Sequence, residues 1–136
     1  MATELPDSEY EERIAAVRDR IAESDADAGV WFGATSIGYL TGFHHIQTER
    51  PVMLAVTPER IGITVPRLEV ERVEANGFVD RVDHYFDYPG GDPIEAAAGT
   101  LDGFGAESVL ADADGAPGVM GYEGPALSDF VDVESQ

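Results

Sequence analysis

The residues best suited to do chemistry fall in one stretch of fifteen, Ile37-Gly38-Tyr39-Leu40-Thr41-Gly42-Phe43-His44-His45-Ile46-Gln47-Thr48-Glu49-Arg50-Pro51. It holds two imidazoles, which exchange protons near neutral pH. It also holds the guanidinium of Arg50, whose planar fork can grip a carboxylate through two hydrogen bonds. Adjacent side chains diverge on any regular backbone, so His44 and His45 make a poor joint metal site, and His84 is far along the chain. The plain alternatives are that His44 and His45 are loop polar groups and that Arg50 pairs with Glu49 or another acid. Tyr39, Leu40 and Phe43 are expected in the core.

Other motifs fail on inspection. Asp112-Ala113-Asp114-Gly115 mimics part of a calcium loop. With Gly115 at the loop's glycine position, its first and last positions fall on Leu110 and Gly121, which carry no ligand oxygen on a side chain. A phosphate-binding P-loop needs a lysine, and there is none. Gly103-Phe104-Gly105-Ala106-Glu107-Ser108 lacks the third glycine of a dinucleotide fingerprint and leads into a strand. Ser36 is not framed as a nucleophile elbow. Carboxylate pairs are so frequent that none stands out, and the chain shows no self-sufficient active site.

The composition explains that frequency. Among 136 residues there are 27 Asp+Glu against 8 Lys+Arg, a formal net charge of -19. All the basic residues are arginines: Arg13, Arg18, Arg20, Arg50, Arg60, Arg67, Arg72 and Arg81. No cationic stripe exists for a nucleic acid or a polybasic membrane contact. Cysteine is absent, which removes disulfides, thiol nucleophiles and cysteine-bound zinc. No apolar run approaches the roughly 20 residues that span a bilayer, and the acidic N-terminus is no secretory signal. A soluble, cytoplasmic protein is expected. Disorder is not, because 43% of residues are hydrophobic and they recur periodically. The acids spread along the whole chain, and salt shortens the range of their repulsion. The surface reads as halophilic adaptation rather than as an acidic docking patch.

The elements that must position the central stretch follow from pattern. Ser8 and Glu11 fit a capping box; Tyr10, Ile14, Val17 and Ile21 form one helical face, fading near Ser24. Residues 29–32 read as a buried strand, with a short helix around Ser36 to Leu40. Residues 51–56 and 60–65 read as an antiparallel strand pair joined by Thr57-Pro58-Glu59. A helix over 67–75 stopped by Asn76-Gly77, a strand over 81–85, a Tyr88-Pro89-Gly90-Gly91 turn, a helix over 94–101 and a strand over 108–111 complete the pattern. A loop over 112–118 and a last helix starting in 125–130 follow. Strands alternating with helices, plus one hairpin, predict an α/β class with a mixed sheet.

Ordered pieces of the chain resemble the N-terminal domain of the creatinase/prolidase (Xaa-Pro peptidase) family. They are Tyr10-x-x-Arg13, Asp27-Ala28, Ile37 to Phe43, Glu49-Arg50-Pro51, Leu54-x-Val56 and Val65-Pro66-Arg67-Leu68-Glu69. The resemblance implies a ribonuclease-H-like three-layer α/β/α domain with a central mixed sheet over residues 1–136. It implies a partner as well, a C-terminal pita-bread catalytic domain that carries two divalent metals (Mn, Co or Zn) and is expected to be absent from this chain. It further implies a non-catalytic role in building a homodimer and restricting access to the neighbouring subunit's active site, which cleaves short proline-containing peptides. His44, His45 and Arg50 would then contact substrate in trans. The alternatives are a stand-alone binding or scaffolding module, or the N-terminal domain of a creatinase-type amidinohydrolase. The isolated chain is expected to be inactive, with no cofactor of its own.

Overall fold

A computed structural model of the chain describes residues 6–44, 52–76, 78–86, 93–111 and 127–135. The first helix, α1, spans Asp7–Ala22. Its N-cap is Pro6 and not Ser8, and no side chain caps it. The Pro6 carbonyl accepts from Glu9 N at 2.9 Å, so the helix opens ahead of Ser8 and the expected capping box is not used. Ile14 and Ile21 are buried, as their spacing requires.

Strand β1 (Ala28–Trp31) follows, then α2 (Ala34–Thr41), β2 (Met53–Val56) and β3 (Ile61–Pro66). A 3-10 turn over Arg67–Glu69 leads into α3 (Val70–Asn76), so the expected 67–75 helix begins with a tighter first turn. Next come β4 (Arg81–Tyr85), α4 (Pro93–Gly103) and β5 (Ser108–Ala111). Of the expected last helix, the described residues show a 3-10 turn at Leu127–Asp129. Strand β6 (Asp132–Ser135) was not anticipated, because its Asp-Val-Glu-Ser sequence offers a single apolar residue. The 88–91 turn and the 112–118 loop lie outside the described residues.

The six strands form one mixed sheet in the order β4-β3-β2-β1-β5-β6. β2 runs antiparallel to both β1 and β3, while β3/β4, β1/β5 and β5/β6 are parallel. The expected hairpin is β2/β3, with Val56 opposite Ile61. Both hairpin strands are buried along their whole length, the mark of a sheet covered on two faces. On one face α4 packs Ile94, Ala97 and Leu101 against Val30, Met53 and Val109. On the other, Ile14, Ile37, Leu40 and Val73 from α1, α2 and α3 meet Trp31, Leu54, Val56 and Ile63. Each fully buried aliphatic side chain contributes about 1.5–3 kcal/mol. The layers are helix, sheet, helix, as expected.

Candidate functional site

Helix α2 brings the chain to His44. Its buried side carries Ile37, Leu40 and Thr41. Thr41 donates from Oγ1 back to the Ile37 carbonyl at 2.7 Å, and the same oxygen accepts from Phe43 N at 3.1 Å. Gly42 ends the helix with φ 80°, a left-handed conformation that glycine adopts without a Cβ clash. The reversal drops Phe43 into the core at 1% exposure and leaves His44 at the surface. The His44 ring folds back over Gly38, where a Cβ would stand 2.4 Å from Nδ1. The missing side chain of Gly38 is what leaves room for the imidazole against the helix.

Two arginines frame this end of α2. Arg13 donates from Nη1 to the Tyr39 carbonyl at 2.7 Å, and its Cζ lies 4.0 Å from the Tyr39 ring centre and 5.7 Å from that of Tyr10. Its Nη2 is 3.5 Å from Glu9, and its buried Nε has no hydrogen-bond partner among the described residues. Arg72 lies 4.9 Å over the Phe43 ring and pairs with Glu69. Tyr39 is not in the core. It is 56% exposed, because the helical period that buries Ile37, Gly38, Leu40 and Thr41 turns position 39 outward.

Of the three residues singled out by sequence, His44 is thus exposed on the α2 side of the sheet. His45 and Arg50 lie outside the described residues. The arrangement around His44 presents one imidazole and one tyrosine ring at the surface, with a guanidinium against the tyrosine. Such groups bind and orient.

A second polar cluster escaped sequence reasoning. Asp83 accepts from Arg81 Nε and from Thr100 Oγ1, both at 2.7 Å, and the Thr64 and Thr100 hydroxyls are 2.8 Å apart. Since Thr100 spends its proton on the carboxylate, Thr64 donates to Thr100. Both threonines are 1% exposed, so the network ties β3, β4 and α4 together through otherwise costly buried hydroxyls. The parallel pairing of Thr64 with Asp83 creates it, and sequence separation hides it.

Among the described residues, no group of three or more His, Cys, Asp or Glu could hold a metal ion. No helix among them is long and apolar enough to cross a membrane.

The creatinase/prolidase N-terminal domain model matches residues 13–122. The chain is similar to the N-terminal domain of an Xaa-Pro dipeptidase from Lactobacillus brevis, at 26% identity and TM-score 0.65, over 74% of this chain and 75% of that one. It is similar in fold to the corresponding domain of an X-Pro dipeptidase from Streptococcus pyogenes, at 22% identity and TM-score 0.71, over 91% and 92%. Against dipeptidase PepE from Mycobacterium ulcerans, at 21% identity and TM-score 0.67, the match takes in 93% of this chain and 36% of the longer one. Curated proteins give no sequence match. With the mixed sheet, the three layers and the matched residues in agreement, this chain belongs to the creatinase/prolidase N-terminal domain family.

Proposed function

We propose that the chain is the non-catalytic N-terminal domain of an Xaa-Pro dipeptidase or aminopeptidase, working in the cytoplasm. It builds a homodimer and narrows access to the partner subunit's active site, so that short proline-containing peptides enter. The observation that supports this most is the family match over residues 13–122, with the likeness to an Xaa-Pro dipeptidase domain beside it.

In this reading the chain's 136 residues form one domain, and a downstream pita-bread domain holds two divalent metals that supply an activated water. The described residues offer no donor set for those ions, so no chemical step is assigned to them. What this chain supplies is binding. Arg50 holds the peptide's carboxylate bidentately, while His44 and His45 line the approach as hydrogen-bonding rings.

The test is kinetic. In the full-length enzyme, Arg50→Ala is expected to raise KM for an Xaa-Pro dipeptide by about tenfold, the equivalent of one charge-assisted hydrogen bond. Metal content stays unchanged. Unaltered KM would remove the carboxylate role.

A further inference from the structure

Helix α2 carries Gly38 in its interior, where glycine is among the poorest helix formers. Core packing does not ask for it. A Cβ on Gly29 or Gly62 would meet side chains of the core, Trp31 and Ile21 or Phe104 and Thr100. At Gly38 the three nearest atoms all belong to one exposed side chain. They are Cε1 of His44 at 2.6 Å, Cγ at 3.4 Å, and Nδ1 closer still. The helix thus gives up a side chain to make room for a surface imidazole, a broken local rule of the sort found at functional positions.

The backbone that carries the ring is fixed on the same helix. Gly42 N donates to the Gly38 carbonyl at 2.9 Å, and Phe43 N donates to Thr41 Oγ1 at 3.1 Å. The Phe43 ring is buried, with the Arg72 guanidinium 4.9 Å over it. His44 is therefore held twice, by the anchor of its neighbour and by its own ring against Gly38. The Nδ1–Cε1 edge is the one turned to the helix, so Nε2 is the nitrogen left to meet a ligand.

We propose that Gly38 is a positioning residue: its bare Cα seats the His44 imidazole so that Nε2 offers a hydrogen bond, in one direction, to an oxygen of the bound peptide. This rests on the functional reading above, in which His44 lines the peptide's approach. A ring fixed before the peptide arrives need not be ordered on binding, which spares that entropy. The seat acts on binding, so KM carries its effect and kcat does not. Because the ring lies at the surface, a methyl at position 38 pushes it aside and leaves the core untouched. Gly38→Ala therefore gives a folded domain with His44 displaced.

In the full-length enzyme, Gly38→Ala and His44→Ala are each expected to raise KM for an Xaa-Pro dipeptide about three- to tenfold, the range for one hydrogen bond. Neither should change kcat. The double variant should raise KM no further than His44→Ala alone, because both changes remove the same contact. Thr35→Ala, on the exposed side of α2, also raises helix propensity and should leave KM as it is. The seat itself is read without turnover. His44 is one of three histidines, and its ring Cε1–H NMR signal in the 136-residue chain is identified by its loss in His44→Ala. That signal should move in Gly38→Ala and stay in place in Thr35→Ala. An unmoved signal in Gly38→Ala would overturn the seat. Additive KM effects, a rise with Thr35→Ala, a fall in kcat, or a KM indifferent to Gly38→Ala would each overturn the positioning role. The functional reading is judged separately, by cleavage of Xaa-Pro dipeptides and by the KM of Arg50→Ala.

Discussion

One guanidinium, that of Arg13, holds both the ring and the backbone of Tyr39: its Cζ is 4.0 Å from the ring centre and its Nη1 donates to the carbonyl at 2.7 Å. The two residues stand 26 positions apart, so the contact pins the outer face of α1 to the end of α2. It also restrains a tyrosine that is 56% exposed. The Arg13 Nε is buried without a partner among the described residues. Cation–π attraction to two rings offsets that desolvation.

Arg13→Ala is therefore expected to lower the stability of the chain by about 1–3 kcal/mol, from one charge-assisted hydrogen bond and the ring contacts. Arg13→Lys keeps the charge and loses the planar stacking, so it should fall between the two. Urea unfolding midpoints measure both.

Gly38 and His44 should be coupled. Gly38→Ala gains about 1 kcal/mol of helix propensity but drives a methyl into the imidazole, where a Cβ would sit 2.4 Å from Nδ1. The single variant is expected to lose stability or displace His44. Combined with His44→Ala, the propensity gain should reappear, so the double variant should melt above Gly38→Ala alone. Additive melting temperatures would contradict the packing described.

The buried hydroxyl pair makes a sharper cycle. Thr100→Val strands the Thr64 hydroxyl, at a cost of about 1–3 kcal/mol for an unsatisfied buried donor. Adding Thr64→Val removes the stranded group and should restore part of the loss. A double-mutant cycle on unfolding free energies reads the coupling.

Salt should stabilise the chain. With net charge -19, self-repulsion opposes the folded state, and raising ionic strength from about 0.15 M to 1 M shortens its range from about 8 Å to about 3 Å. The unfolding midpoint is expected to climb well into molar KCl. A flat response would mean that the acids serve something other than salt adaptation.

Much of this architecture is legible in the chain, and the exceptions have physical causes. Short apolar, β-rich runs mark the strands β1 to β5, and helical spacing of apolar residues marks α1 and α3, because the inner strands are buried throughout and the helices bury one side. β6 escaped because Asp132 and Glu134 are exposed and Val133 alone packs inward. Tyr39 was expected inside because it is aromatic, yet the phase of α2 turns it outward. The motif around His44 was visible as an excess of chemistry over packing, but its geometry depends on a left-handed Gly42 and a bare Gly38. The Thr64–Asp83–Thr100 network needs the parallel pairing of β3 with β4, which no local pattern encodes.

The central claim, that this domain serves the neighbouring subunit's active site, is tested most directly with hybrid dimers. One subunit carries Arg50→Ala with an intact catalytic domain; the other keeps Arg50 but has its metal ligands removed. The hybrid is expected to cleave an Xaa-Pro dipeptide with a KM near that of the unaltered enzyme, because the inactive subunit lends its Arg50 across the dimer. A hybrid that keeps the raised KM of the Arg50→Ala enzyme would contradict action in trans.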